Sequence, residues 1–222
     1  MSVAAARRDA AERAARQVES GMVVGLGSGA TAALAIRAIA RLLRAGELRE
    51  IVGIPTSEAT RRLAAAARVP LTTLERHPVI DLTIDGADEV TPAGDLLKGA
   101  GGALLREKIV ARASRRLLIV VDPEKRSARL GSRHPLPVVV VPFGWTRNLE
   151  LVRSLGGRAA LRRVARGRPF RTDDGHLIVD ASFDGGIAHP AQLAAALKAS
   201  PGVVETGLFL GYAPEVIMGR KD

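Results

Sequence analysis

Four short apolar runs constrain this chain more than anything else in it: Met22–Gly27, Ile51–Pro55, Leu82–Asp85 and Leu117–Val121. Three are continuously apolar and read as short buried strands, and Leu82-Thr83-Ile84 is a strand that ends in Asp85. Helical spacing separates them. Residues 4 to 20 carry alanine and valine at helical intervals and stop at Gly21; a second helix runs from about Thr31 to Arg44 and stops at Gly46; a third is capped by Ser57 and runs to Arg68; a fourth covers 103–113. A further strand is expected at Leu71–Leu74. Strands alternating with helices of roughly ten to fifteen residues predict an α/β fold with a parallel sheet covered on both faces.

The pattern changes near His134. Pro135–Pro142 is an apolar run with prolines at its ends, which suits an edge strand or a domain crossing. A helix over Thr146–Leu155 follows. Asp174-Gly175 between Phe170 and Leu177 then reads as a hairpin turn, before a helix over Pro190–Ala199 and a strand over Val203–Phe209. Two strand–helix–strand units with a hairpin predict a small α+β, ferredoxin-like insert over 133–205. The main domain then comprises 1–132 plus 206–222.

Composition removes several classes of chemistry. There are no cysteines, so disulfides, thiolate metal sites and thiol nucleophiles are excluded. His77, His134, His176 and His189 are scattered and match no ligand spacing, and no metal or cofactor is expected. No run reaches the roughly 18–20 apolar residues of a membrane span. The N-terminal stretch lacks an apolar signal core and carries Asp9, Glu12 and Glu19, so a cytoplasmic protein is the default expectation. The net charge of +10 invites a nucleic-acid reading, but all but five of the 33 basic residues are arginine and aromatic residues make up 3% of the chain. That balance looks like compositional bias, and nucleic acid is not an expected partner.

Two stretches carry chemistry. Gly25-Leu26-Gly27-Ser28-Gly29-Ala30-Thr31 leaves a strand and opens a helix, which offers backbone N–H groups to an anion. It also fits the loose dinucleotide pattern G-x-G-x-x-A, but Thr56 and Ser57 stand where that version wants an acid. A compact phosphate suits it better, and a plain tight turn is the competing explanation. The second stretch begins at the strand end Asp85-Gly86-Ala87-Asp88 and continues through Lys98-Gly99-Ala100-Gly101-Gly102 into the helix that bears Glu107. Ligands of open α/β sheets bind beyond the carboxyl ends of the strands. A carboxylate pair, a lysine on a glycine loop and a further carboxylate suit acid–base chemistry on an oxygen-rich anion. Each has a duller explanation: Asp85 and Asp88 as turn caps, Glu107 as a solvated helix face, and Lys125, after the strand end Val121-Asp122, as a surface lysine.

Taken together, GLGSGAT (25–31), GIPTSEAT (53–60), DLTIDGADE (81–89), LLKGAGGALLREK (96–108), VVDPEKRSARLG (120–131), PLPV (135–138), TDDG (172–175) and PGVVETGLF (201–209) resemble the A-type ribose-5-phosphate isomerases, in the family's own order and over nearly the whole chain. The resemblance implies a Rossmann-like parallel-sheet main domain, a smaller lid-like domain, a homodimer or homotetramer, and interconversion of ribose 5-phosphate with ribulose 5-phosphate. By motif position it implies that Glu107 is the proton-shuttling base. Asp85, Gly86, Ala87, Asp88, Lys98, Gly99, Ala100 and Gly101 are then substrate contacts, with Asp85, Asp88 and Lys98 also serving the chemistry. Ser28, Gly29, Ala30, Thr31 and Lys125 complete the binding set.

The chain departs from the family pattern in four places. Ala30 and Ala100 stand where serine and glycine are usual, Val139 where glutamate is usual, and His176 where asparagine is usual. Two other readings stay open: a different sugar-phosphate isomerase or deaminase on the same sheet, and a non-catalytic sugar-phosphate sensor. The sensor would have little use for Glu107.

Overall fold

The computed structural model describes residues 2–220. They form two compact units. The first holds the residues up to Ala87, Arg106–Lys125 and those from Tyr212 on; the second holds Asp88–Leu105 and Arg126–Gly211. The second takes in more of the chain than the 133–205 insert expected from sequence.

The first unit is the parallel sheet. Strands β1 (Val23–Leu26), β2 (Val52–Pro55), β3 (Ile80–Asp85), β6 (Ser114–Val121) and β12 (Glu215–Met218) lie in the order β12-β6-β3-β1-β2, every neighbour parallel. Helix α1 (Val3–Ala15) is shorter than the 4–20 expected; Ser2 caps it, and its five buried alanines let it lie close. With α2 (Ala30–Arg44) it packs on Val24, Leu26, Leu82, Ile84, Leu118 and Val120. A separate cluster joins Ile54 and Ile80 to Val110 of α4 (Leu104–Arg112). Ser57 caps α3 (Glu58–Ala66), its hydroxyl accepting from Thr60 N–H at 3.0 Å. Leu71–Leu74 makes no strand; only Leu71 bridges to Gly53. Strand β12, not expected from sequence, takes the edge beside β6.

The second unit has the order β7 (Leu136–Val140), α5 (Thr146–Ser154), β8 (Arg158–Leu161), β9 (Leu177–Ser182), α6 (Pro190–Lys198) and β10 (Val203–Thr206). Its antiparallel sheet runs β10-β7-β9-β8, the ferredoxin-like βαββαβ arrangement. Strand β7 is therefore interior rather than an edge. Pro137 is tolerated there because its carbonyl faces Gly207, whose N–H donates to it at 2.8 Å. The missing proline N–H falls outside the β7–β9 ladder. The Thr172–His176 turn forms, but Phe170 and Arg171 before it are not strand; β9 pairs antiparallel with β7 and β8 instead. A three-stranded sheet, β11 (Leu208–Phe209), β5 (Leu96–Leu97) and β4 (Glu89–Val90), completes the unit. The single strand expected over 203–209 breaks at Gly207, where a Cβ would stand 2.3 Å from the Lys98 carbonyl oxygen.

Candidate active site

In the first unit the predicted phosphate turn and Asp85 meet at the carboxyl ends of β1 and β3. Gly27 N–H donates to Ile84 C=O at 2.9 Å, drawing the β1 end against β3. The approach is so close that a Cβ on Gly27 would lie 2.2 Å from Asp85 Oδ1. That oxygen accepts from Ser28 N–H at 3.1 Å and Gly86 N–H at 2.7 Å, which fixes a carboxylate only 2% exposed. Gly29, with φ of 95°, is the N-cap of α2 and gives it no side-chain cap. The first N–H groups of α2, from Ala30, Thr31 and Ala32, therefore stand at an uncapped helix start, a ready anion seat.

The Ser28 hydroxyl is committed elsewhere. It lies 2.8 Å from Thr56 Oγ1, 2.8 Å from Ser57 Oγ and 3.2 Å from Thr60 Oγ1. Thr60 donates to Gly27 C=O at 3.0 Å, Thr56 to Leu26 C=O at 3.1 Å, and Ser57 to Thr60 at 3.0 Å. The buried hydroxyls after β2 thus lace the turn after β1 in place. They occupy the positions where a dinucleotide site would carry an acid. Sequence reading gives Thr56 and Ser57 only as that missing acid and a helix cap, and it passes over Thr60; the spacing T-S-x-x-T directly after a strand is the available signal.

Glu107 lies in the first turn of α4 and is 5% exposed, so a solvated helix face is not its setting. Its neighbour Arg106 reaches Glu58 at 3.4 Å instead. Lys125 ends a short 3-10 turn, Pro123–Lys125, at the close of β6. Buried Asp122 anchors that turn, accepting from Glu124 N–H at 3.0 Å and from Arg7 Nε at 2.8 Å.

The second unit holds Asp88 and the Lys98–Gly101 loop. Asp88 Oδ2 accepts from Ala100 N–H at 2.9 Å, and Asp88 N–H donates to Leu97 C=O at 2.8 Å. Lys98 is 3% exposed, with Nζ 5.6 Å from the Phe209 ring centre. Gly99, at φ of 108°, and Gly102, at φ of 83°, occupy the left-handed region that glycine alone adopts freely. A Cβ on Gly102 would sit 2.4 Å from the Phe170 ring. Arg162 donates to Gly99 C=O at 2.7 Å and Ala100 C=O at 3.0 Å. Arg162 carries no sequence signal, lying within a run of arginines. Of the departures from the family pattern, Ala30 and Ala100 are exposed; Val139 is buried with Leu104 and Ile178. The His176 Nδ1 is buried without a partner.

Among the described residues no cluster of three or more His, Cys, Asp or Glu side chains could hold a metal ion. No described helix is long and apolar enough to cross a membrane.

Residues 52–222 match the family model for ribose 5-phosphate isomerase A (phosphoriboisomerase A). This chain belongs to that family. The ribose-5-phosphate isomerase A of Roseiflexus castenholzii is 51% identical over 216 residues, which cover 97% of this chain and 92% of that protein. That of Gloeobacter violaceus is 53% identical over 217 residues, again 97% and 92%. Among solved structures, a D-ribose-5-phosphate isomerase in complex with phospho-erythronic acid is similar at TM-score 0.94 and 36% identity, covering 97% of this chain and 94% of the other. The ribose 5-phosphate isomerase A of Methanocaldococcus jannaschii is similar at TM-score 0.87 and 36% identity, covering 92% and 90%.

Proposed function

We propose that this protein interconverts ribose 5-phosphate and ribulose 5-phosphate through an enediolate, using general acid–base catalysis by its own side chains. The observation that carries this reading is Glu107, a carboxylate held almost wholly out of solvent on the first turn of α4. A carboxylate with no surface role, in a chain of this family, suits the base that takes the C2 proton of the open-chain aldose. Returning that proton to C1 leaves the carbonyl at C2 and completes the ketose. Acid–base help of this kind contributes typically about 10²–10⁴-fold.

The other groups divide the remaining work. The enediolate oxygen needs a fixed positive charge, the role of Lys98. Asp85, immobilised by two backbone N–H groups, moves the proton between ring oxygen and hydroxyl when the sugar opens. Asp88 positions the loop through Ala100 and orients substrate hydroxyls. The amides of Gly29, Ala30 and Thr31 with Lys125 take the phosphate, and binding the unreactive end fixes the reacting one. Gly86, Ala87, Gly99 and Gly101 supply backbone contacts. The reading carries with it a cytoplasmic enzyme acting as a homodimer or homotetramer.

Glu107→Gln tests it. The change keeps shape and hydrogen bonding while removing the base, so affinity for phospho-erythronic acid should stay within a few-fold. The rate should fall by about 10²–10⁴ in both kcat and kcat/KM. Exchange of the substrate C2 proton with deuterated solvent should vanish as well. A variant keeping a third of the wild-type kcat would remove Glu107 from the base role.

A further inference from the structure

We infer that Arg162 is a positioning residue for the reaction, holding the Lys98–Gly101 loop from behind and strengthening its amides toward a developing oxyanion. The inference rests on the isomerase reading above.

A glycine-rich loop has little of its own to hold it. Side chains are nearly absent between Lys98 and Gly102, and two of the glycines occupy left-handed backbone regions. The guanidinium of Arg162 supplies the missing restraint. Nη1 donates to the carbonyls of both Gly99 and Ala100, at 2.7 and 3.0 Å. Nε and Nη2 grip Asp180 at 2.9 and 2.5 Å. Such a bidentate pair fixes the guanidinium plane. The same group lies 5.8 Å from the Phe170 ring centre, and that ring closes against Gly102. The Arg162 side chain is only 14% exposed. The ion pair with Asp180 is therefore held largely out of solvent.

Two consequences follow for chemistry. The amide of Ala100, whose peptide partner is the Gly99 carbonyl, donates to Asp88 Oδ2. The amide of Gly101, partnered by the Ala100 carbonyl, is engaged by nothing among the described residues. A cation hydrogen-bonded to both carbonyls polarises both peptide groups, so each N–H becomes a stronger donor. Gly101 N–H thereby becomes a preorganised donor for negative charge arriving beside Lys98. Lysine at 162 would keep the charge but could not serve two carbonyls and a bidentate carboxylate at once.

The test compares Arg162→Met, Arg162→Ala and Arg162→Lys with wild type, using ribose 5-phosphate turnover, the affinity for phospho-erythronic acid and the affinity for inorganic phosphate. Phospho-erythronic acid carries a carboxylate that stands in for the enediolate. Arg162→Met should lower kcat about 30- to 300-fold with KM changed less than about threefold. Affinity for phospho-erythronic acid should fall by a similar factor while affinity for inorganic phosphate is unchanged. Arg162→Lys should fall between, and added guanidinium ion at millimolar concentration should restore part of the kcat of Arg162→Ala. A merely structural role predicts equal weakening of both ligands, lower melting temperature and no rescue. Should Arg162→Met not fold, the Arg162→Lys ligand comparison decides alone. Wild-type kcat in Arg162→Met would overturn this inference; a wild type that fails to turn over ribose 5-phosphate would overturn the isomerase reading instead.

Discussion

Gly27→Ala adds a single methyl group where the turn after β1 meets Asp85. That Cβ would lie 2.2 Å from Asp85 Oδ1, 2.4 Å from its Cγ and 2.5 Å from its Cα, where ordinary contact begins at 3.4 Å. The shortfall cannot be absorbed by turning a side chain, because one of the three atoms is backbone. Either the β1 turn or the β3 end must move. Overpacking of this kind costs typically about 1–3 kcal/mol. Displacing Asp85 also breaks its bonds to the Ser28 and Gly86 amides. Hydrogen bonds to a charged group are worth about 1.5–3 kcal/mol each when lost outright. These costs overlap, and a destabilisation of about 2–4 kcal/mol is expected. For a chain of this size that lowers Tm by roughly 4–16 °C. Calorimetry gives the stability, and steady-state kinetics should show KM rising and kcat falling together, because both the anion turn and Asp85 are displaced. Gly86→Ala is the stability control, since its nearest neighbours would lie 3.9 Å away. Its effect should stay within about 0.5 kcal/mol. A Gly27→Ala protein that melts with the wild type and keeps its kcat/KM would refute the idea that this contact sets the turn.

Two further expectations concern the first unit. Thr60→Val strips a buried hydroxyl that donates to Gly27 C=O and accepts from Ser57. Two polar groups are left unmatched, so about 1–3 kcal/mol should be lost. KM for the sugar phosphate should rise more than kcat falls, and Thr60→Ser should restore both; a selective loss of kcat would contradict the anion-turn role. Arg116 beside Glu215 holds that carboxyl below its ordinary value, chiefly through the hydrogen bond and then through charge. A depressed carboxyl stabilises the fold above its unfolded pKa, about 4.3, and loses that contribution as pH falls through the lower folded value. Both side chains are largely exposed. Glu215→Gln should therefore cost less than about 1 kcal/mol at about pH 7, a difference that shrinks below about pH 4.3. A gap in Tm that widened with acid would contradict the pairing.

How much of this is legible in the sequence depends on how local each feature is. The sheet of the first unit is legible, because β1, β2 and the last five residues of β6 are continuous apolar runs, and β3 carries Leu82 and Ile84 up to its terminal Asp85, with helical spacing between the strands. Strand β12 is not: Glu215 and Val216 are exposed at the sheet edge, so half its residues carry no burial signal. Strands β4, β5 and β11 are two residues each, too short for any period to register. The interior place of β7 escapes because proline marks the whole strand as an edge, when only the side faced by Pro137 lacks a donor. The site divides along the same line. Glycines that admit close approach and acids at strand ends are local and can be read directly. The burial of Glu107 is set by the packing of the rest of the chain around α4, which no local pattern encodes. Arg162 is the extreme case. It reaches Asp180 because Ala160 pairs with Asp180 across β8 and β9, and Arg162 N–H donates to Ile178 C=O at 2.8 Å. Only that register turns one arginine among several into the clamp on Gly99 and Ala100. Shifting β8 by one residue would carry its side chain to the opposite face of the sheet and leave both carbonyls unbound.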